Sequence, residues 1–80
     1  MEKTLFSKGY SLLLRRLRTA REEAGLTQID LAERLRETQS FVSKCERGER
    51  RLDLLEVRIF CKAIGISFVD FVKKLDKDLR

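Results

Sequence analysis

Gln39, Ser40, Ser43, Lys44 and Arg47 lie at steps of one, three and four residues, while Val42 and Cys45 take the intervening positions. On a helix that spacing puts the amide, hydroxyl and cationic groups on one side and the apolar pair on the other. Such groups bond base edges and phosphates, and no acid interrupts the outermost face. Catalytic chemistry finds no comparable grouping. The chain has no His, no Cys-x-x-Cys pair and no glycine-rich phosphate loop, and its acids are scattered beside bases rather than grouped as metal ligands. The reading is therefore of a non-enzyme with no cofactor and no metal. Outside any motif, Ser40 and Ser43 would be ordinary solvated surface residues.

The polar row needs a scaffold, and the apolar periodicity supplies one. Leu13, Leu17, Ala20 and Ala24 recur at helical spacing before Gly25, which predicts a first helix over Ser11 to Ala24. Thr27 caps a short second helix over Gln28 to Leu35, with Asp30 as the acid of its first turn and Leu31, Ala32 and Leu35 as its inner face. Thr38 caps the third, which carries the polar row and stops near Arg47 at Gly48. Only Arg36 and Glu37 separate the second and third helices, so the two must cross steeply, and the small Ala32 suits that approach. After the polar run Gly48-Glu49-Arg50-Arg51, Asp53 caps a stripe of Leu54, Val57, Cys61 and Ile64 that ends at Gly65. Ser67 then caps a helix carrying Phe68, Phe71, Val72 and Leu75, with a mostly charged tail open to fraying.

Eighty residues suit one modest helical core, so a single domain over 1–80 is expected, with a motif core over 12–75 and ends 1–10 and 76–80 outside it. Eighteen Lys and Arg against 13 Asp and Glu leave a charge of +5, which favours polyanionic partners, nucleic acid or anionic lipid. No window approaches the roughly 20 apolar residues of a membrane span. Lys8 interrupts the only early apolar stretch, which runs into Arg15 and Arg16 without a cleavage site. A cytoplasmic location is expected by elimination. Cys45 and Cys61 fall on apolar stripes and read as reduced core thiols.

The runs Arg21-Glu22-Glu23-Ala24-Gly25-Leu26-Thr27-Gln28, Leu31-Ala32 and Ser43-Lys44-Cys45-Glu46-Arg47-Gly48-Glu49 resemble, in order and spacing, the phage-repressor and Cro-like (XRE-type) helix-turn-helix family. The resemblance implies a five-helix, all-α, lambda-repressor-like domain whose third helix reads the major groove. It further implies that Gln28 bonds a phosphate, that Gln39, Ser40 and Lys44 face base edges, and that Arg47, Arg50 and Arg51 grip the backbone beside the groove. Arg21 and Glu46 match positions that form a partly buried ion pair in the family. Lys44 would then suit guanine O6 or N7, and the Gln39 amide an adenine edge.

The chain departs from that family pattern at three positions. Cys45 stands where a larger apolar residue is common, Leu52 where Pro is common, and the bulky Phe41 lies at the boundary between core and DNA face. Phe41 would either close the core edge or touch a thymine methyl. The expected function is sequence-specific binding of double-stranded DNA by a repressor-like transcription regulator, acting as a homodimer on a roughly palindromic site. Phe6, Tyr10, Phe71, Leu75 and Leu79 are the candidate dimer contacts, or alternatively cap the core. A protein-interaction module such as an antitoxin, with a protein partner, and a non-specific nucleic-acid coat are the competing classes.

Overall fold

A computed structural model describes residues 8–80. Five helices follow one another: α1 (Lys8–Glu23), α2 (Gln28–Leu35), α3 (Gln39–Glu46), α4 (Leu54–Ile64) and α5 (Phe68–Leu79). No strand occurs among the described residues. Phe6 and the rest of the N-terminal seven residues lie outside the described residues. No helix among those described is long and apolar enough to cross a membrane.

Each helix after the first starts on a side-chain oxygen. Thr27 and Asp53 form reciprocal capping boxes with Asp30 and Glu56, while Thr38 and Ser67 accept from the backbone N–H of Phe41 and Asp70. These bonds occupy amides that a helix start would otherwise leave unpaired. The α2 stop is less expected. Arg36 closes that helix at φ 58, in the left-handed region that favours glycine. The following N–H, of Glu37, reaches back to the Ala32 carbonyl at 2.9 Å. Three residues, Arg36, Glu37 and the cap Thr38, thus suffice to turn the chain from α2 into α3.

Leu17, Leu31, Ala32, Val42, Cys45, Leu52, Val57, Phe60, Cys61, Ile64 and Phe71 form the core. The α4 stripe differs from the one expected, because Phe60 is 4% exposed and Leu54 is 69% exposed. Val57, Phe60, Cys61 and Ile64 obey the i, i+3, i+4, i+7 rule, and Leu54 stands on the turn before the core begins. Leu52, ahead of the helix, fills that end instead. Phe71, one of the candidate dimer contacts, is 3% exposed and belongs to the core. Burial pushes the Cys61 thiol up to about 11 and the Cys45 thiol above its usual value, as fits reduced core cysteines.

The last turn of α5 is tied to α1. Arg16 on α1 donates to both carboxylate oxygens of Asp78, at 2.7 to 3.0 Å, so α5 runs to Leu79 rather than loosening after Leu75. α1 is already helical at Lys8, the first described residue, three residues ahead of the start its apolar stripe suggests. Tyr10, near its start, accepts from the Leu52 backbone N–H at 3.0 Å and fixes the segment between α3 and α4.

Candidate nucleic-acid interface

Arg21 begins the chain of contacts that places the reading surface. Its guanidinium donates from Nε to Glu46 Oε2 at 2.6 Å, from Nη2 to Glu46 Oε1 at 3.0 Å and from Nη1 to the Leu26 carbonyl at 2.8 Å. Both side chains of the pair are 8% exposed. The hydrogen bond to Glu46 raises the Arg21 pKa further above its ordinary value against the opposing pull of burial. The pair joins the middle of the scaffold, α1, to the last turn of α3. The Arg21 bond to Leu26 holds the connection into α2 at the same time.

Glu46 carries the contact onward. Its Oε1 also accepts from Gln28 Nε2 at 2.9 Å, and Gln28 Oε1 accepts in turn from Gln39 Nε2 at 2.9 Å. Gln28 opens α2 and Gln39 opens α3, so the two helix starts face each other. Because Glu46 can only accept here, the Gln28 NH2 must point to it, which leaves the Gln28 oxygen for Gln39. One Gln39 N–H is thereby used, and its other N–H and its oxygen stay available on an exposed side chain.

The rest of the expected row divides into three groups. Ser40 and Lys44 are exposed on α3. Ser43 accepts from Arg47 Nη1, and Arg47 Nε also donates to Glu49 Oε2 at 2.7 Å. Phe41 is half-buried against Phe60, with ring centroids 6.4 Å apart, and the Arg50 guanidinium lies 5.3 Å from its ring centroid. Phe41 thereby closes the edge of the core. Arg50 also pairs with Glu56 at 2.7 Å, and Arg51 stacks 4.1 Å over the Tyr10 ring. Arg50 and Arg51 therefore leave the α3–α4 connection with their guanidinium groups already oriented by aromatic rings.

Sequence reasoning placed Glu49 and Arg36 in connections and Tyr10 among the candidate dimer or core-capping residues, without the contacts they make here. The partners of Tyr10 gave no local signal, since it meets Leu52 and Arg51 across about half the chain. Glu49 was visible as an acid two residues from Arg47, but the left-handed Gly48 between them decides that they meet.

A family model described as helix-turn-helix matches residues 17–71, which takes in α2, α3 and the whole contact chain from Arg21 to Gln39. No curated protein matches the chain. Among solved structures, an XRE-family like protein from Pseudomonas syringae pv. tomato str. DC3000 is similar, at 44% identity and a TM-score of 0.88, over 99% of this chain and 96% of that one. With the helix-turn-helix, the five-helix order and these matches in agreement, the chain belongs to the XRE-type helix-turn-helix family, a family of DNA-binding regulators.

Proposed function

We propose that this protein binds double-stranded DNA sequence-specifically, with α3 in the major groove, and acts as a repressor-like transcription regulator. The observation that carries the reading is the Gln28–Gln39 bond anchored on Glu46. It leaves Gln39 with one donor and one acceptor, the complement of adenine N7 and N6–H, a bidentate contact worth about 1 to 3 kcal/mol of discrimination. The pair arrives at the groove already oriented, so little side-chain freedom is lost on binding. Ser40 and Lys44 lie beside it on the same helix, with Lys44 suited to guanine.

Around this centre the roles divide. Gln28, at the first turn of α2, meets a phosphate with an amide whose orientation Glu46 sets. Ser43, Arg47, Arg50 and Arg51 meet the sugar-phosphate backbone and fix register, and Phe41 shapes the core-side edge of the reading face. A second copy on an inverted repeat would place two α3 helices about one helical turn apart.

Selection of bound duplexes from a random pool at about physiological salt tests the proposal, since non-specific affinity is weak there. Enrichment of one half-site, repeated in inverted orientation, is expected. A pool that stays random would overturn sequence-specific recognition, and an enriched single half-site would overturn the dimer alone.

A further inference from the structure

Glu49 is an acid set among the bases that would meet DNA. Its backbone N–H donates to the Lys44 carbonyl at 2.9 Å, and the preceding Gly48 takes φ 83, so the chain folds back against the end of α3. A side chain at position 48 would be strained there, and its Cβ would come within 3.3 Å of Leu14 Cδ1. This turn delivers the Glu49 carboxylate to Arg47. Oε2 accepts from Arg47 Nε at 2.7 Å, while the same guanidinium reaches Ser43 on its other side. The Arg47 bond and charge, with a smaller pull from Lys44, hold the Glu49 carboxyl below its ordinary value, so it is an anion at neutral pH.

A carboxylate and a phosphate use the same guanidinium N–H groups. Resting on the DNA-binding reading above, we propose that Glu49 is an intramolecular competitor for the DNA phosphate that Arg47 contacts, and that it sets the overall affinity for duplex DNA without choosing the sequence. Before binding, Arg47 is neutralised by Glu49. To take a phosphate, Arg47 must release the carboxylate, which then stands uncompensated near the polyanion and gathers a cation. Both consequences oppose binding on any duplex. Both side chains of the pair are about half exposed, at 53% and 56%, so the exchange needs no unfolding.

The expected effect of Glu49→Gln is a gain of about three- to tenfold in affinity at fixed salt, on matched and unmatched duplexes alike. The slope of log affinity against log salt should steepen by about 0.9, because no cation is recaptured by a freed carboxylate. A double-mutant cycle with Arg47→Ala separates this competition from a general charge effect. Removing Arg47 should abolish most of the Glu49→Gln gain. Glu23→Gln, the same charge change in the groove between α1 and α5, should shift affinity less than about twofold, since its distance from the phosphates leaves it screened.

Titration of the four proteins of the cycle and the Glu23 variant by fluorescence anisotropy, across a salt series, reads all of these. An unchanged Glu49→Gln affinity and slope, an equal gain in the Arg47→Ala background, or an equal gain from Glu23→Gln would each overturn the competitor role. Those outcomes leave wild-type DNA binding intact. Failure of the wild-type protein to bind any duplex at low salt would overturn the DNA-binding reading together with this one.

Discussion

Gln28 and Gln39, eleven residues apart, are joined by a 2.9 Å hydrogen bond between the first residues of consecutive helices, and Glu46 sets the direction of both amides through a second 2.9 Å bond to Gln28. The stability of the scaffold and the orientation of the reading surface therefore meet at one carboxylate. Glu46 Oε1 serves the buried Arg21 guanidinium and the exposed helix start at once.

Replacing Glu46 with Ala is expected to destabilise the protein by about 3 kcal/mol, because Arg21 would keep a buried charge met only by the Leu26 carbonyl and by the exposed Glu22 carboxylate at 4.0 Å. In a domain of this size that corresponds to a fall of roughly 12 to 24 °C in Tm. Thermal unfolding followed by circular dichroism measures it. Replacing both partners with apolar residues of similar volume should cost less than the single change, since no charge is then stranded. A Glu46→Ala melt equal to that of the parent would show the pair to contribute nothing.

Arg36→Gly should stabilise the protein. The α2 stop requires a left-handed residue, and at φ 58 the Arg36 Cβ is penalised where glycine is not. The gain is offset in part by the greater freedom of glycine in the unfolded chain, leaving about 0.5 to 1 kcal/mol. Urea denaturation with an unchanged m-value and a raised midpoint is the expected result. A lowered midpoint would mean that the Arg36 side chain contributes more than its backbone costs.

Acid should weaken the fold through its capping boxes. The Thr27 backbone N–H, followed by its hydroxyl, holds the Asp30 carboxyl below its ordinary 3.8, and the Arg50 bond, followed by the Asp53 N–H, holds Glu56 below 4.5. Depressed carboxyls favour the folded state wherever the unfolded groups are ionised. Their contribution is thus full above about pH 5 and is lost as pH falls through the folded values. The Tm gap between the parent and Asp30→Asn should be widest near neutral pH and close in acid; a gap independent of pH would contradict the assignment.

The capping side chains were legible in the sequence because each stands immediately before an apolar stripe, as with Thr27, Thr38, Asp53 and Ser67. The polar row on α3 was legible for the same periodic reason. The Arg21–Glu46 pair came only with the family resemblance. The Gln28–Gln39 bond was hidden, because it depends on the angle at which two helices cross and no local pattern records that. Arg36 concealed the left-handed turn, since the usual glycine signal is missing there. On α4 the stripe was visible, but Leu54 could be read as its start as easily as Phe60 could be read as part of it. Their burial is decided by Leu52 arriving from the preceding segment to fill the core.

Arg51→Ala should weaken binding about equally on all sequences and reduce the salt slope by about 1, as expected of a backbone contact that releases one counterion. Its stacking on Tyr10 orients the guanidinium. Titrations of a matched and an unmatched duplex over a salt series check both parts, and an unchanged slope would remove Arg51 from the backbone contacts.

Gln39→Ala tests the central claim most directly. Affinities of the parent and the variant would be measured on the enriched half-site and on its full set of single base-pair changes, at one salt concentration. Reading by an oriented Gln39 amide predicts that the parent loses about 1 to 3 kcal/mol when one particular A·T pair is changed, and that the variant becomes indifferent at that pair while discriminating at the others. Uniform weakening of the variant on every duplex, with discrimination at all pairs retained, would contradict the account.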